Sequence, residues 1–181
     1  RLLSGVAPSD RRACLRRIAK GIAHPAIPPA EALHLAITIH HGHRRGGPRA
    51  QRPGQEFCAR ILLAGIQREE TVLRTYHDCP AIRDGVWKPL ARLWEQATGE
   101  CLDTDHPLLT IAGVRPRPPD LTGAALKKWH QLETPWRVLH AVILQQISLA
   151  RDRVHHGYHS FDPPRQAARA SPSHILRAAR L

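Results

Sequence analysis

The chain has 181 residues, with 27 Lys or Arg against 15 Asp or Glu, giving a formal charge of +12. That length fits one domain, or one domain with tails, and an apolar content of 42% is enough for a core although aromatics reach only 4%. The charge points to a polyanionic partner, nucleic acid before an anionic membrane surface; a membrane span is excluded, because the best apolar run, Val138 to Leu149, is broken by His140, Gln145 and Gln146.

In chain order, Ser9 is placed to cap a helix running to about Lys20, with Leu15, Ile18 and Ala19 on one face and Arg11, Arg12, Arg16, Arg17 and Lys20 around it. A membrane-surface role for this helix ranks last among the readings, because its apolar face is narrow. After Gly21 and the prolines from Pro25 to Pro29, a second helix carries Leu33, Ala36, Ile37 and His40. These form a basic N-terminal helical pair, residues 1–45. Residues 46–54 continue a glycine-rich basic run and read as a flexible linker.

Helical period returns from Gln55 with Phe57, Ile61, Ala64, Val72 and Tyr76. Pro80 opens the clearest helix, with Ile82, Val86, Leu90, Leu93, Trp94 and Ala97 at spacings of three and four. Pro89 inside it predicts a kink near Gly85, and Gly99 a stop. Leu108 to Ile111 is either a strand or one buried turn, and Pro116, Pro118 and Pro119 stiffen a loop. Thr122 is placed to cap a short helix to Trp129. The last long helix starts at Thr134-Pro135, with Val138, Leu139, Val142, Ile143, Ile147 and Ala150 as one apolar stripe. The fold expected is mostly α: a small irregular helical domain over residues 55–160, with a basic, Pro/Arg-rich flexible linker before it and a Pro/Arg/Ala-rich C-terminal tail, 161–181, after it.

Two blocks resemble a known family. The first is Glu70-Thr71-Val72-Leu73-Arg74-Thr75-Tyr76-His77-Asp78-Cys79-Pro80, followed by Val86-Trp87, Leu93-Trp94 and Thr98-Gly99. The second is Trp136-Arg137-Val138-Leu139-His140-Ala141, then Ala150-Arg151-Asp152 and His155. In order and separation they are similar to E-T-x-x-H-x-x-x-x-C-P and W-R-x-L-H-A…A-R-N in the zinc-binding-like region C-terminal to non-LTR (LINE-type) retrotransposon reverse transcriptases. The resemblance implies a region that helps engage template RNA or target DNA in the nucleus or cytoplasm.

The departures concern the metal. The family's upstream C-x-x-C pair falls at Cys58 and Ile61, or at Ile61 and Ala64, and its histidine position holds Arg74, a cation with no lone pair to donate. Cys58 and Cys79 remain as remnant ligand positions, too few for a tetrahedral site, with His77 and Cys58 as the minority rescue. The expectation is therefore a degenerate copy with no metal and no cofactor.

Other chemistry is thinly represented. The four cysteines, Cys14, Cys58, Cys79 and Cys101, show no C-x-x-C spacing, and reduced thiols in an intracellular setting are expected. The clusters His40-His41-His43 and His155-His156-His159 end helices, where imidazoles serve the helix dipole without any ligand. Cys79 beside His77 and Arg74 is the best nucleophile candidate and reads as structural, so the chain is expected not to be an enzyme. Phosphate contact is assigned to Arg11, Arg12, Arg16, Arg17, Arg44, Arg45, Arg49, Lys127 and Lys128, with Trp129, flanked by Lys127, Lys128 and His130, as a partly exposed stacking residue. Trp94 and Trp136 are assigned to packing.

The chain has no methionine, residue 1 included, so a fragment, a processed product or a translation of something longer is expected. A mitochondrial location is the alternative to the one implied by the resemblance. The rival function is a basic structural component of a ribonucleoprotein assembly such as an organellar ribosome. Elemental analysis of the purified chain should find no stoichiometric zinc; one zinc per chain would overturn the reading of Ile61 and Arg74.

Overall fold

The computed structural model describes residues 8–39 and 71–155. The linker 46–54, the tail 161–181, the cluster His40-His41-His43 and the apolar positions Phe57, Ile61 and Ala64 lie outside the described residues, as do His156 and His159. What is described is helical: α1 (Pro8–Ile22), α2 (Pro29–Ile39), a π-helical turn (Arg74–Asp78), one turn α3 (Pro80–Ile82), a second π-helical turn (Arg83–Trp87), α4 (Lys88–Thr98), α5 (Pro107–Ala112), α6 (Gly123–Gln131) and α7 (Glu133–His155).

The two N-terminal helices bury narrower and more polar faces than their apolar residues imply. In α1 the inward positions are Cys14, Ile18 and Gly21, at i, i+4 and i+7, while Leu15 and Ala19 face solvent. Ser9 lies inside the helix rather than capping it, its hydroxyl donating to Asp10 Oδ1 at 3.3 Å, because Pro8 already supplies the first helical residue. In α2 the buried residues are Glu31, Leu35 and Thr38, and Leu33 is exposed. The Thr38 hydroxyl satisfies itself on the His34 carbonyl at 2.9 Å, which makes that polar position compatible with burial.

The irregularity expected at Pro89 takes the form of the π turn just before it. Lys88 N–H bonds to the Arg83 carbonyl, five residues back, and Pro89, which has no N–H to place, becomes an early residue of α4. The widened turn brings both Val86 and Trp87 into the core, with Trp87 Nε1–H donating to the Tyr76 carbonyl at 2.6 Å. Beyond it, α4 turns Leu93 and Ala97 outward and keeps Trp94 buried. Gly99 ends α4 at φ 71°, its N–H on the Glu95 carbonyl at 2.7 Å, a left-handed position that suits glycine.

The apolar run 108–111 is one buried helical piece, α5, not a strand. His106 Nδ1 accepts from Leu108 N–H at its start, and Gly113 closes it at φ 65°. At the next helix Thr122 occupies the capping position of α6 without a side-chain hydrogen bond.

α7 is the central element. It packs on α2 and α6, and its residues Trp136 to Leu144 are buried consecutively, so the helix is surrounded there rather than carrying one stripe. The stripe residues Val138, Leu139, Val142, Ile143, Ile147 and Ala150 are all buried. Trp94 meets Trp136 edge-on, centroids 5.5 Å apart and planes at 74°, a geometry worth about 0.5–1.5 kcal/mol beyond the area it buries. Two polar side chains of α7 satisfy the carboxyl end of α5: Trp136 Nε1–H donates to the Gly113 carbonyl at 2.8 Å and His140 Nε2–H to the Thr110 carbonyl at 3.0 Å. The His140 ring stacks on Trp87 at 5.9 Å, and a Cβ on Gly113 would come within 2.7 Å of its Nδ1, so only glycine fits at that position.

Burial pushes His140 down to about 4, the Thr110 hydrogen bond opposing and nearby Arg137 adding to the effect. Protonation therefore favours the unfolded chain, where the imidazole titrates near 6.5. This contribution to stability is complete above pH 6.5 and is lost as the pH falls towards 4, by on the order of 3 kcal/mol. Urea melts across that range should show the loss, and His140→Asn should be less stable at neutral pH but shallower in its pH slope. An equal slope in both proteins would assign the acid sensitivity to other groups.

Candidate nucleic-acid interface

Arg115, in the loop after α5, is only 1% exposed. A guanidinium in that position must be paired and hydrogen-bonded on every side, since an isolated buried charge is too costly to keep. Its partners come from three places. Nη1 pairs with Glu100 Oε2, Nη2 bonds to the Trp129 carbonyl, and Nη2 and Nε reach Glu133 Oε2 at 3.1 and 3.3 Å. Glu100 is held in place by Trp94, whose Nε1–H donates to the same Oε2 at 3.2 Å.

The other oxygen of Glu133 belongs to Arg137, one helical turn on, whose Nη2 and Nε donate at 2.6 and 2.9 Å. Arg137 Nη1 continues to the Arg17 carbonyl at 3.1 Å, passing so close to Gly21 that a Cβ there would lie 2.1 Å from it. Arg17 completes the cluster from α1: its Nη2 donates to the Arg115 carbonyl at 2.8 Å and stands 3.9 Å from Glu133 Oε1. Three guanidinium groups (Arg17, Arg115, Arg137) thus face two carboxylates (Glu100, Glu133), and the cluster keeps one positive charge in excess.

Trp129 corrects the expectation placed on it. It is 8% exposed, not an open stacking face, and two guanidinium groups lie over its ring, Arg17 5.3 Å and Arg115 4.8 Å from the centroid. Its charged neighbours in sequence pointed outward because successive helical residues diverge by about 100°. Trp129 Nε1–H is buried without an acceptor. Arg17 is likewise partly withdrawn from solvent. Burial lowers its pKa from the ordinary arginine range, with Glu133 opposing and Arg137 and Arg115 adding to the fall.

The remaining cations divide simply. Arg11, Arg12 and Arg16 on α1 and Lys127 and Lys128 on α6 are exposed. The Lys128 ammonium lies 3.7 Å from where a Cβ on Gly99 would stand, near the carboxyl end of α4, where a cation is favoured. Arg44, Arg45 and Arg49 lie outside the described residues. The Arg17–Trp129 contact brings together α1 and α6, two basic segments more than a hundred residues apart in sequence.

Of the two remnant positions only Cys79 lies among the described residues. Cys79 is buried in the main core with Tyr76, Ile82 and Val86, and His77 turns its Nδ1 to the Thr110 hydroxyl at 2.9 Å. Cys58 lies outside the described residues, among which no group of three or more His, Cys, Asp or Glu side chains could hold a metal ion.

Sequence reasoning missed Glu100, Arg115, Glu133 and Arg137 as a unit. The only local signal was the four-residue spacing of Glu133 and Arg137. Removing the shared carboxylate by Glu133→Gln should destabilise the fold by about 3–5 kcal/mol, because it strands two buried guanidinium groups. A chemical melt showing less than about 1 kcal/mol would mean that the arginines are satisfied elsewhere. No protein-family model, no curated protein and no solved structure matches this chain.

Proposed function

We propose that this chain is a non-catalytic nucleic-acid-binding region, resembling the accessory segment that follows a LINE-type reverse transcriptase, and that it holds its partner through the phosphate backbone. The observation that supports this reading is the joint between α1 and α6. Two basic segments distant in sequence meet there, at a cluster that itself carries excess positive charge, which raises the positive potential around the joint.

Arg12 and Arg16 on α1, with Lys127 and Lys128 on α6, are exposed and able to neutralise phosphates with release of counterions. Base reading has less support: Trp87, Trp94, Trp129 and Trp136 are all buried, which leaves none of the tryptophans as a stacking platform. Of the residues carrying the family resemblance, Cys79, Trp87, Trp94, Trp136, Leu139, His140 and Ala141 are core positions, while Thr71, Pro80 and Gly99 are exposed. Much of the likeness therefore concerns how such a chain packs, and the contacts with nucleic acid fall to residues around it. Among the described residues no helix is long and apolar enough to cross a membrane.

The test is fluorescence anisotropy with single-stranded RNA, duplex RNA and duplex DNA across a salt series. Wild type should bind with an affinity that falls steeply with salt. The combined variant R12Q/R16Q/K127Q/K128Q should bind at least about tenfold more weakly and reduce the slope of log affinity against log salt by about 3. A folded variant with unchanged affinity and slope would remove the α1–α6 surface from the interface.

A further inference from the structure

Within the basic surface one side chain differs from the rest. Glu133 Oε1 is taken by Arg137 and Oε2 by Arg115, all at 2.6 to 3.3 Å, while Arg17 reaches only 3.9 Å. Glu100 Oε2 is likewise shared between Arg115 and Trp94. The uncompensated charge of the cluster therefore falls on Arg17. Of the three guanidinium groups its side chain is also the most open, 32% exposed against 1% for Arg115 and 10% for Arg137.

We infer that Arg17 is a phosphate anchor, a built site for one backbone phosphate of a bound nucleic acid at the α1–α6 joint; the inference rests on the nucleic-acid reading above. Four features fit a phosphate. A guanidinium has five N–H donors, and Arg17 places one firm hydrogen bond, to the Arg115 carbonyl, which leaves donors on a partly exposed side chain for a further acceptor. The plane of that fork is steadied by the Trp129 ring beneath it, which lowers the entropy lost on binding.

The joint also holds more donors than acceptors, the buried and unpartnered Trp129 Nε1–H among them, which makes it electropositive towards an anion. Finally, Arg115 and Arg137 act on Arg17 as like charges, and an incoming anion relieves that repulsion where a neutral ligand would not. The exposed cations Arg16, Lys20 and Lys127 lie close in sequence to Arg17 or Trp129, where they add to the field felt by an approaching strand.

The test uses the full chain and a short duplex RNA. Arg17→Lys keeps the charge but removes the stacked planar fork, so it should weaken binding about tenfold while leaving the salt slope unchanged. Arg92→Lys, at an exposed position of α4, controls for arginine-to-lysine exchange away from the joint. In wild-type protein, titration with the RNA should also shift the Arg17 Nε–H and Trp129 indole N–H resonances, assigned with Arg17→Lys and Trp129→Phe. This second readout stands even if Arg17→Lys perturbs the fold. If wild type binds the RNA while both resonances stay fixed and Arg17→Lys binds equally well, the anchor is overturned and the broader nucleic-acid reading survives. If wild type binds no RNA at any salt, both fall together.

Discussion

The burial of the Arg115 guanidinium is the constraint on which the rest of this structure depends. A charge at that depth survives only with a complete set of partners, and those partners determine where the neighbouring elements sit. Glu100 must come back from the end of α4, the carbonyl of Trp129 from α6, and Glu133 from the start of α7. Arg137 then shares Glu133 and reaches the backbone of α1 at Arg17, which brings the N-terminal helix into the same unit. Aromatic rings pack against the charges: Trp94 donates to Glu100, and both Arg17 and Arg115 lie over the Trp129 ring. Whether such a cluster adds net stability over apolar residues of the same volume is a separate matter from its geometry, and the geometry is what gives it a registry role.

A second constraint also runs through α7. His140 and Trp136 donate to carbonyls at the end of α5, so these two polar side chains of a helix surrounded by core are themselves satisfied. Both devices use long polar side chains of one central helix to satisfy backbone groups or charges on shorter elements around it. That arrangement suits a chain with few aromatic residues. The four tryptophans act as anchors, each tied to a helix end, a loop or a guanidinium.

The same economy bears on function. An arginine-rich protein directs some of its arginines inward, and here Arg115 and Arg137 are structural while Arg12 and Arg16 face solvent. Arg17 stands between the two groups, stacked on a buried ring yet open to solvent. Formal charge alone therefore overstates the surface available to a polyanion, and the position of each guanidinium matters more than their number.

Helical character was legible in the sequence because it follows from local rules. Pro80 opening a helix, the disturbance at Pro89, Gly99 as a stop and the inward stripe of the last helix each depend on residues within a turn or two of one another. Faces were less legible. Leu15, Leu33 and Leu93 are exposed while Cys14, Glu31, Thr38 and Trp129 are buried, since which side of a helix turns inward depends on what packs there. The candidate site was legible only as a list of exposed cations on α1 and α6. Its organisation was not, because Arg17, Glu100 and Glu133 lie 15 to 98 residues from Arg115 along the chain and no periodicity spans such distances. The sequence by itself determined a basic, helical chain, with Trp94 and Trp136 as packing residues. Only the tertiary structure decided which arginines are held inside by carboxylates and which stay exposed, because that choice is made by the desolvation cost of burying each charge.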